Sequence, residues 1–308
     1  MADKMKYIFS IIIPHYNIPE LLVRCLKSIP VREDIQVIVV DDCSPNADTY
    51  KERFPEIFSR PNLEWYSTPI GGSAGRARNI GLEHANGKWL IFLDSDDMLV
   101  DGVETILRNV QSRSEDIIYY DTISVMNNDL SKPSNRNFYH QYFEQYQKDK
   151  DESPFRYRFQ SLWGKIFRAA FIKEYNICFD ETRYSNDVKF SVAAGLYAKN
   201  IAIDNKTLFI VTEREGSLAS NQFGNIISKN ECEIRLKVAI GIRELLEKNG
   251  IYNEEYQLTE YLGKLRAYYR KTYYQYLFIL IFRHPTYVIP FFKKDILFVL
   301  KKMRIVNV

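Results

Sequence analysis

Trp89-Leu90-Ile91-Phe92-Leu93-Asp94-Ser95-Asp96-Asp97 sets five apolar residues directly against three carboxylates. The apolar run is too short for an ordinary helix. Bounded by Gly87 and by the acids, it reads as a buried strand. In an open α/β sheet, ligands bind beyond the carboxyl ends of the strands, so the acids mark the expected site. Clustered carboxylates repel one another unless a cation or hydrogen-bond donors compensate. A hard divalent ion that keeps part of its water shell and also accepts phosphate oxygens suits such a cluster. The plain alternative is a polar turn after a core strand.

The flanking sequence repeats the pattern. Phe9 to Pro14 reads as a first strand, ended by His15-Tyr16-Asn17, and Pro19 to Ile29 has helical spacing with proline in its first turn. Ile35 to Val40 is a nearly continuous β-branched run, as in a parallel strand covered on both faces, and it ends in Asp41-Asp42-Cys43-Ser44. A helix around Ala47 to Phe54 and a short strand, Leu63 to Ser67, come next. Then Gly71-Gly72-Ser73-Ala74-Gly75-Arg76-Ala77-Arg78-Asn79 opens a helix that runs to Ala85. Free backbone N–H groups, the helix dipole and guanidinium groups can together hold phosphate there. The order β-α-β-α-β-α-β predicts a parallel sheet with right-handed crossovers, with all three polar segments on one edge.

At 308 residues, 46% hydrophobic and 26% charged, the chain has the composition of a soluble globular protein with a sizeable core. Cys25, Cys43, Cys178 and Cys232 have no metal-ligand spacing and read as reduced cytosolic thiols. The apolar run Ile8 to Ile13 is too short for a signal peptide or a membrane span. Charge is uneven. Residues 264–308 hold ten Lys/Arg against Asp295 alone, or +9, which leaves −6 for residues 1–263 of a chain whose net charge is +3.

Four segments resemble family 2 glycosyltransferases in order and spacing: Ser10 to Asn17, Val39 to Ser44, Ala77 to Gly81 and Leu93 to Asp97. These are inverting enzymes of the GT-A fold that use nucleotide sugars. The resemblance implies an α/β fold with a GT-A-type, Rossmann-like, mostly parallel sheet flanked by helices, followed by a mainly helical C-terminal region. It implies a domain over 1–220, with a nucleotide-binding half (1–115) and an acceptor-binding half (116–220), and a helical, basic and aromatic region over 221–308. Pro14 and Tyr16 would line the base pocket. Asp42 would bind the base, supported by Asp41. Arg78 would face the diphosphate, Asp94 with Ser95 would reach the ribose, and Asp96 would hold Mn2+ or Mg2+. Asp97 is expected to cap the helix beginning near Asp101. Cys43 and His15 depart from the commoner residues without removing a functional group.

Beyond these motifs, Ile117 to Tyr120 reads as strand, and 127–154 as a flexible or acceptor-facing loop. Ser161 to Arg168 resembles a segment of bacterial members, in which Trp163 and Lys165 would border the sugar and acceptor pocket. Phe179 to Phe190 holds Asn186-Asp187 where the family often has Glu-Asp. Asp187 would then be the catalytic base, taking the proton of the attacking hydroxyl; capping of the following helix is the alternative, with Asp180 and Glu181 as fallback bases. Thr207 to Thr212 reads as a closing strand. Glu213 to Leu218 resembles the family's Arg-x-x-Gly-Ser loop, with Arg214 neutralising the leaving group.

Ile226 to Leu246 and Glu254 to Phe282 are helical in spacing. The basic, aromatic composition of 264–308 fits helices in a membrane interface, with Lys/Arg toward anionic lipid. Packing on the body or on a second subunit is the alternative, so a homo-oligomer stays open. The apolar content argues against a nucleic-acid arm. The expected protein is a cytoplasmic, metal-dependent glycosyltransferase at the inner membrane face. It would pass sugar from a UDP-sugar or similar donor to a saccharide or lipid-linked saccharide in surface-polysaccharide synthesis. A nucleotidyltransferase, which would release pyrophosphate, and a non-catalytic nucleotide-sugar-binding subunit, which would bind donor without turnover, are the alternatives.

Overall fold

The computed structural model describes residues 7–214, 227–252, 258–288, 295–297 and 300. The chain divides into two compact units, Met1–Ser220 and Asn221–Val308.

The first unit begins β1 (Tyr7–His15), α1 (Pro19–Ser28), β2 (Ile35–Asp41), the short α2 (Tyr50–Arg53) and α3 (Pro55–Phe58), β3 (Leu63–Ser67), α4 (Ala74–His84) and β4 (Gly87–Phe92). These four strands are parallel in the order β3-β2-β1-β4, as the alternation of strand and helix predicts. β1 and β2 are buried almost throughout, which is why their apolar runs do not alternate. Pro14 lies past the last β1–β4 pair, Ile12↔Phe92, so its missing N–H costs that ladder nothing.

There follow β5 (Met98–Leu99), α5 (Val103–Gln111), β6 (Ile117–Met126), β7 (Asp129–Pro133), α6 (His140–Asp149), β8 (Lys165–Arg168), α7 (Ala169–Glu174), α8 (Val188–Tyr197) and β9 (Ile201–Glu213). β8 inserts antiparallel between β4 and β6, β9 runs parallel to β6, and β5 closes the row on β9. The result is a mixed sheet flanked by helices, parallel in its first half.

Three expectations of local structure change. Residues 127–154 are not one loop: they form β7 and α6, because Phe143 is buried against Phe155 at a ring separation of 4.9 Å. The helix around Ala47 to Phe54 shortens to a 3-10 turn plus α2, ended by Phe54 before Pro55. Asp97 does not cap a helix: α5 starts after Gly102, which adopts φ 75°. The Asp97 carboxylate is buried and accepts the Thr212 N–H at 2.7 Å, tying the acidic segment to β9.

The second unit holds α9 (Lys229–Lys248), α10 (Leu258–Tyr268) and α11 (Arg270–Arg283). Ser228 caps α9 by accepting the Glu231 N–H, the start signal of a Ser-x-x-Glu sequence. Tyr269 breaks the stretch read as one helix into α10 and α11, and its hydroxyl donates to the Ile227 carbonyl. The Arg243 guanidinium lies 3.9 Å from the Tyr287 ring centroid, and the Tyr287 hydroxyl donates to Glu247. Among the described residues no helix is long and apolar enough to cross a membrane.

Candidate active site

The ends of β1, β2 and β4 deliver the polar segments to one edge of the sheet. Asp41 closes β2 on itself: its carboxylate accepts the Ser44 N–H at 2.8 Å and the Ser44 hydroxyl at 2.5 Å. Asp42 reaches the glycine-rich loop and accepts from the Thr68 hydroxyl, Gly72 N–H and Ser73 N–H, each at 2.8 Å. Asp42 therefore braces the loop that leads into α4. Tyr16 stands 57% exposed at the rim, while Pro14 is buried beneath it. His15 packs edge-on to Tyr50 and tilted to Trp65. Burial lowers its pKa to about 4, against the charge of Glu20, so it serves as a neutral ring in the floor.

α4 is the hub of the site. Ser73 caps its own helix and donates to the Thr182 carbonyl at 3.0 Å. Asn79 exchanges two hydrogen bonds with the backbone of Phe179, at 2.9 and 3.1 Å. Gly75 lies so close to the same segment that a Cβ there would sit 2.1 Å from the Asp180 carbonyl oxygen, so no side chain fits. Arg78, 5% exposed, donates to Asn186 Oδ1 at 2.7 Å and to Asp94 Oδ1 at 2.6 Å, with its guanidinium 5.5 Å from the Phe179 ring centroid. The segment 179–187 is thus docked on the first turns of α4, about a hundred residues earlier in the chain.

This docking brings Asp187 to the acids after β4. Asp187 occupies the residue before α8, yet its side chain makes no capping bond. Burial raises its pKa; Arg78 and Lys165 pull it back and Asp94 adds to the rise. Of the two fallback bases, Glu181 is engaged by Arg76 at 2.8 Å and by Asn79, and Asp180 faces Lys189 at 3.5 Å.

Asp96 and Arg214 form an ion pair at 3.5 Å. Burial and the neighbouring Asp94 push the Asp96 carboxyl up, while Arg214 and Arg136 oppose them. The Asp96 carbonyl also accepts from Arg24 at 2.6 Å and from the Thr212 hydroxyl at 2.8 Å, which fixes the backbone of the acidic segment. Ser95 is buried beside it. Among the described residues no three His, Cys, Asp or Glu side chains are grouped to hold a metal by themselves. The donor set still fits an ion shared with phosphate. Asp96 is a carboxylate whose charge is costly where it stands, and magnesium commonly takes one or two carboxylates plus substrate phosphate oxygens.

Trp163 lies 4.8 Å beneath the Arg136 guanidinium. Lys165 is not a surface residue. Its side chain is wholly buried, and its ammonium donates to the Phe159 carbonyl. The strand β8 carries it inward, on the face shared with Phe167.

Three residues near the acids escaped the sequence. Arg24 lies on α1, whose apolar spacing says nothing of its polar face. Arg136 donates to the Thr212 carbonyl at 2.7 Å while covering Trp163. Tyr139 stacks on Phe159 at 4.1 Å, and burial and the charge of Asp187 raise its pKa. Arg136 and Tyr139 fall in the stretch read as a loop, and no motif marks them. Gly216 and Ser217, which follow Arg214 with one residue between where the family's Arg-x-x-Gly-Ser loop has two, lie outside the described residues, as does part of the basic tail.

Residues 10–175 match the model of the family described as Glycosyl transferase family 2, more than half of the chain. The chain belongs to this family. Its curated relatives include the poly(ribitol-phosphate) beta-N-acetylglucosaminyltransferase TarS of Staphylococcus aureus, 25% identical over 223 residues, covering 70% of this chain and 37% of the relative. A poly(ribitol-phosphate) beta-glucosyltransferase of Bacillus spizizenii is 27% identical over 220 residues, with 67% and 32% covered. This family 2 member therefore spans about a third of the length of these relatives. Glycosyltransferase GlyG of Streptococcus pneumoniae, 26% identical over 245 residues, is matched over 75% of its own length and 71% of this chain. Among solved structures, residues 1–349 of S. aureus TarS in complex with UDP-GlcNAc superpose with a TM-score of 0.59 at 22% identity, covering 85% of this chain and 74% of that one. That likeness shows the fold, a GT-A arrangement.

Proposed function

We propose that this family 2 member is an inverting glycosyltransferase that moves a sugar from a nucleoside-diphosphate sugar, a UDP-sugar first among candidates, to a saccharide hydroxyl. The observation that carries the reading is the docking of segment 179–187 on α4, which brings one partly buried carboxylate, Asp187, against Arg78 and Asp94 at the carboxyl edge of the sheet. In the reaction, the acceptor oxygen bonds to the anomeric carbon as the bond from that carbon to the diphosphate oxygen breaks. The acceptor proton passes to the Asp187 carboxylate, and the nucleoside diphosphate leaves from the opposite face. Arg78 and Arg214 supply positive charge beside the acids. Tyr16 and Pro14 line the base side, with Asp41 and Asp42 bracing the loops and Asp94 and Ser95 toward the ribose. Asp96 would hold Mn2+ or Mg2+ together with the donor's phosphate oxygens, and when bound the ion offsets charge on the leaving diphosphate.

The acceptor in this reading is a lipid-linked saccharide of surface-polysaccharide assembly, met at an anionic membrane through residues 264–308. Two features support it. Relatives are named as glycosyltransferases of poly(ribitol-phosphate). In α11, Phe278, Ile279 and Phe282 are exposed on one side, between Lys271 and Arg283.

The test is nucleoside-diphosphate release from UDP-, GDP- and dTDP-sugars with Mn2+ or Mg2+, comparing the wild type with Asp96→Ala and Asp187→Asn. Metal-dependent release, lowered about 10²–10⁴-fold in Asp187→Asn, is expected of a lost general base. Full activity in Asp187→Asn would refute the assignment of the base. Pyrophosphate release from sugar phosphate and nucleoside triphosphate would replace the reading with nucleotidyl transfer.

A further inference from the structure

The carboxylates after β4 have each found a different partner. Asp94 accepts from the Arg78 guanidinium at 2.6 Å, and Asp97 accepts the Thr212 N–H at 2.7 Å. Both are close hydrogen bonds. The Asp96 carboxylate faces Arg214 instead. There the ion pair spans 3.5 Å from Nε to Oδ2, longer than a good N–H···O bond, and Arg214 Nε donates to nothing among the described residues. Charge, not a hydrogen bond, joins the two.

The two sides of this pair differ in freedom. The backbone of Asp96 is fastened: its carbonyl accepts from Arg24 of α1 at 2.6 Å and from the Thr212 hydroxyl at 2.8 Å. Arg214 stands one residue past the end of β9, whose last residue, Glu213, accepts the Asn127 N–H at 2.9 Å. Its backbone is set, but its long side chain, 33% exposed, has no hydrogen bond to keep it on the carboxylate. The other arginines around the acids are committed. Arg78 holds Asn186 and Asp94, Arg24 holds the Asp96 carbonyl, and Arg136 holds the Thr212 carbonyl across Trp163. Arg214 is the one placed to change partners. A guanidinium that leaves a carboxylate finds a strong partner in a diphosphate, whose oxygens match its planar fork.

We propose that Arg214 is an exchangeable counter-ion for Asp96: it holds the carboxylate in the donor-free protein and passes to the donor's diphosphate, which frees Asp96 for the divalent ion. The proposal rests on Asp96 as the metal ligand. Guanidinium and ion compete for one carboxylate, so affinity for the ion falls with the fraction of time the carboxylate is paired. A diphosphate that draws Arg214 away removes that competition. Ion and nucleotide then bind cooperatively, each strengthening the other by the same factor.

The experiment titrates Mn2+ alone into the full chain and reads free Mn2+ by electron paramagnetic resonance. It compares the wild type with Arg214→Met, Arg214→Gln and Arg214→Lys, with tryptophan fluorescence as the check on folding. The expected result is Mn2+ binding about tenfold tighter in the two neutral variants, an ordinary size for coupling between sites, and close to wild type in Arg214→Lys, which keeps a competing charge. With UDP, GDP and dTDP added in turn, at least one should tighten Mn2+ binding in the wild type, and that gain should shrink about tenfold in the neutral variants. Mn2+ binding no tighter than wild type in whichever neutral variant folds would overturn the proposal. The double variant Arg214→Met with Asp96→Ala separates the proposal from its premise. Loss of the gained affinity supports both. A gain that survives would put the ion on other residues and remove Asp96 as the ligand, and this proposal with it.

Discussion

Replacing Arg78 by methionine keeps the buried stem and removes the guanidinium that joins α4 to Asn186 and to Asp94. Its bond to Asn186 Oδ1, at 2.7 Å, comes from a charged donor with 5% exposure, so about 1.5–3 kcal/mol is expected from it. The pair with Asp94, at 2.6 Å, is worth less than its length suggests, because that carboxylate is 35% exposed and screened; about 1 kcal/mol is reasonable. The sum, about 3 kcal/mol, should lower the urea midpoint of this unit by roughly 1 M. The readout is convenient: Trp65, Trp89 and Trp163 are the three tryptophans of the chain, and all lie in Met1–Ser220, so their fluorescence follows that unit by itself. Asn186→Ala alone should cost about as much as its shared bond. In the double variant the two losses should fall short of additivity by about 1.5–2 kcal/mol, since the bond can be lost only once. Coupling below about 0.5 kcal/mol, the scatter of independent sites, would refute the claim that Arg78 fastens the Asp187 segment to the acids.

Two further outcomes test other parts of the chain. Asp116 is buried at the start of β6, where it pairs with Arg168 and accepts the Lys199 and Asn200 N–H groups. Burial raises its pKa, but these donors outweigh it and the net shift is downward. A depressed carboxyl stabilises the fold above its unfolded pKa and loses that contribution as pH falls through its native value. Asp116→Asn should therefore cost about 1.5–3 kcal/mol at pH 7 by chemical unfolding, with the gap to wild type closing in acid; a gap that widens in acid would refute it. On α11, changing Phe278 and Phe282 to serine removes about 2 kcal/mol of interfacial burial, or ~30-fold in partition to anionic vesicles. Equal partition of variant and wild type in vesicle sedimentation would rule this face out.

What could be read in the sequence was local. The buried strands announce themselves by unbroken β-branched runs, and the acids after β2 and β4 fall at strand ends because apolar patterning stops there. What could not be read was which distant partner each acid finds. Asp97 looked like a cap because the sequence puts the next helix near Asp101, yet that helix starts at Val103 and the partner of Asp97 is Thr212, 115 residues on. Lys165 looked like a surface residue because charge implies surface, yet it is wholly buried between the rings of Tyr119 and Phe159. Asn186 shows the same limit from the other side. As a lone letter it is a departure from Glu at a catalytic pair. In the fold its amide oxygen accepts from Arg78 as a carboxylate would, while placing no second negative charge beside Asp187. A glutamate there would pair with Arg78 more strongly and would also add its repulsion to that of Asp94, pushing Asp187 further up. The asparagine thus keeps the fastening and adds no negative charge beside Asp187, the proposed base, so the departure changes the electrostatics without losing the contact to Arg78.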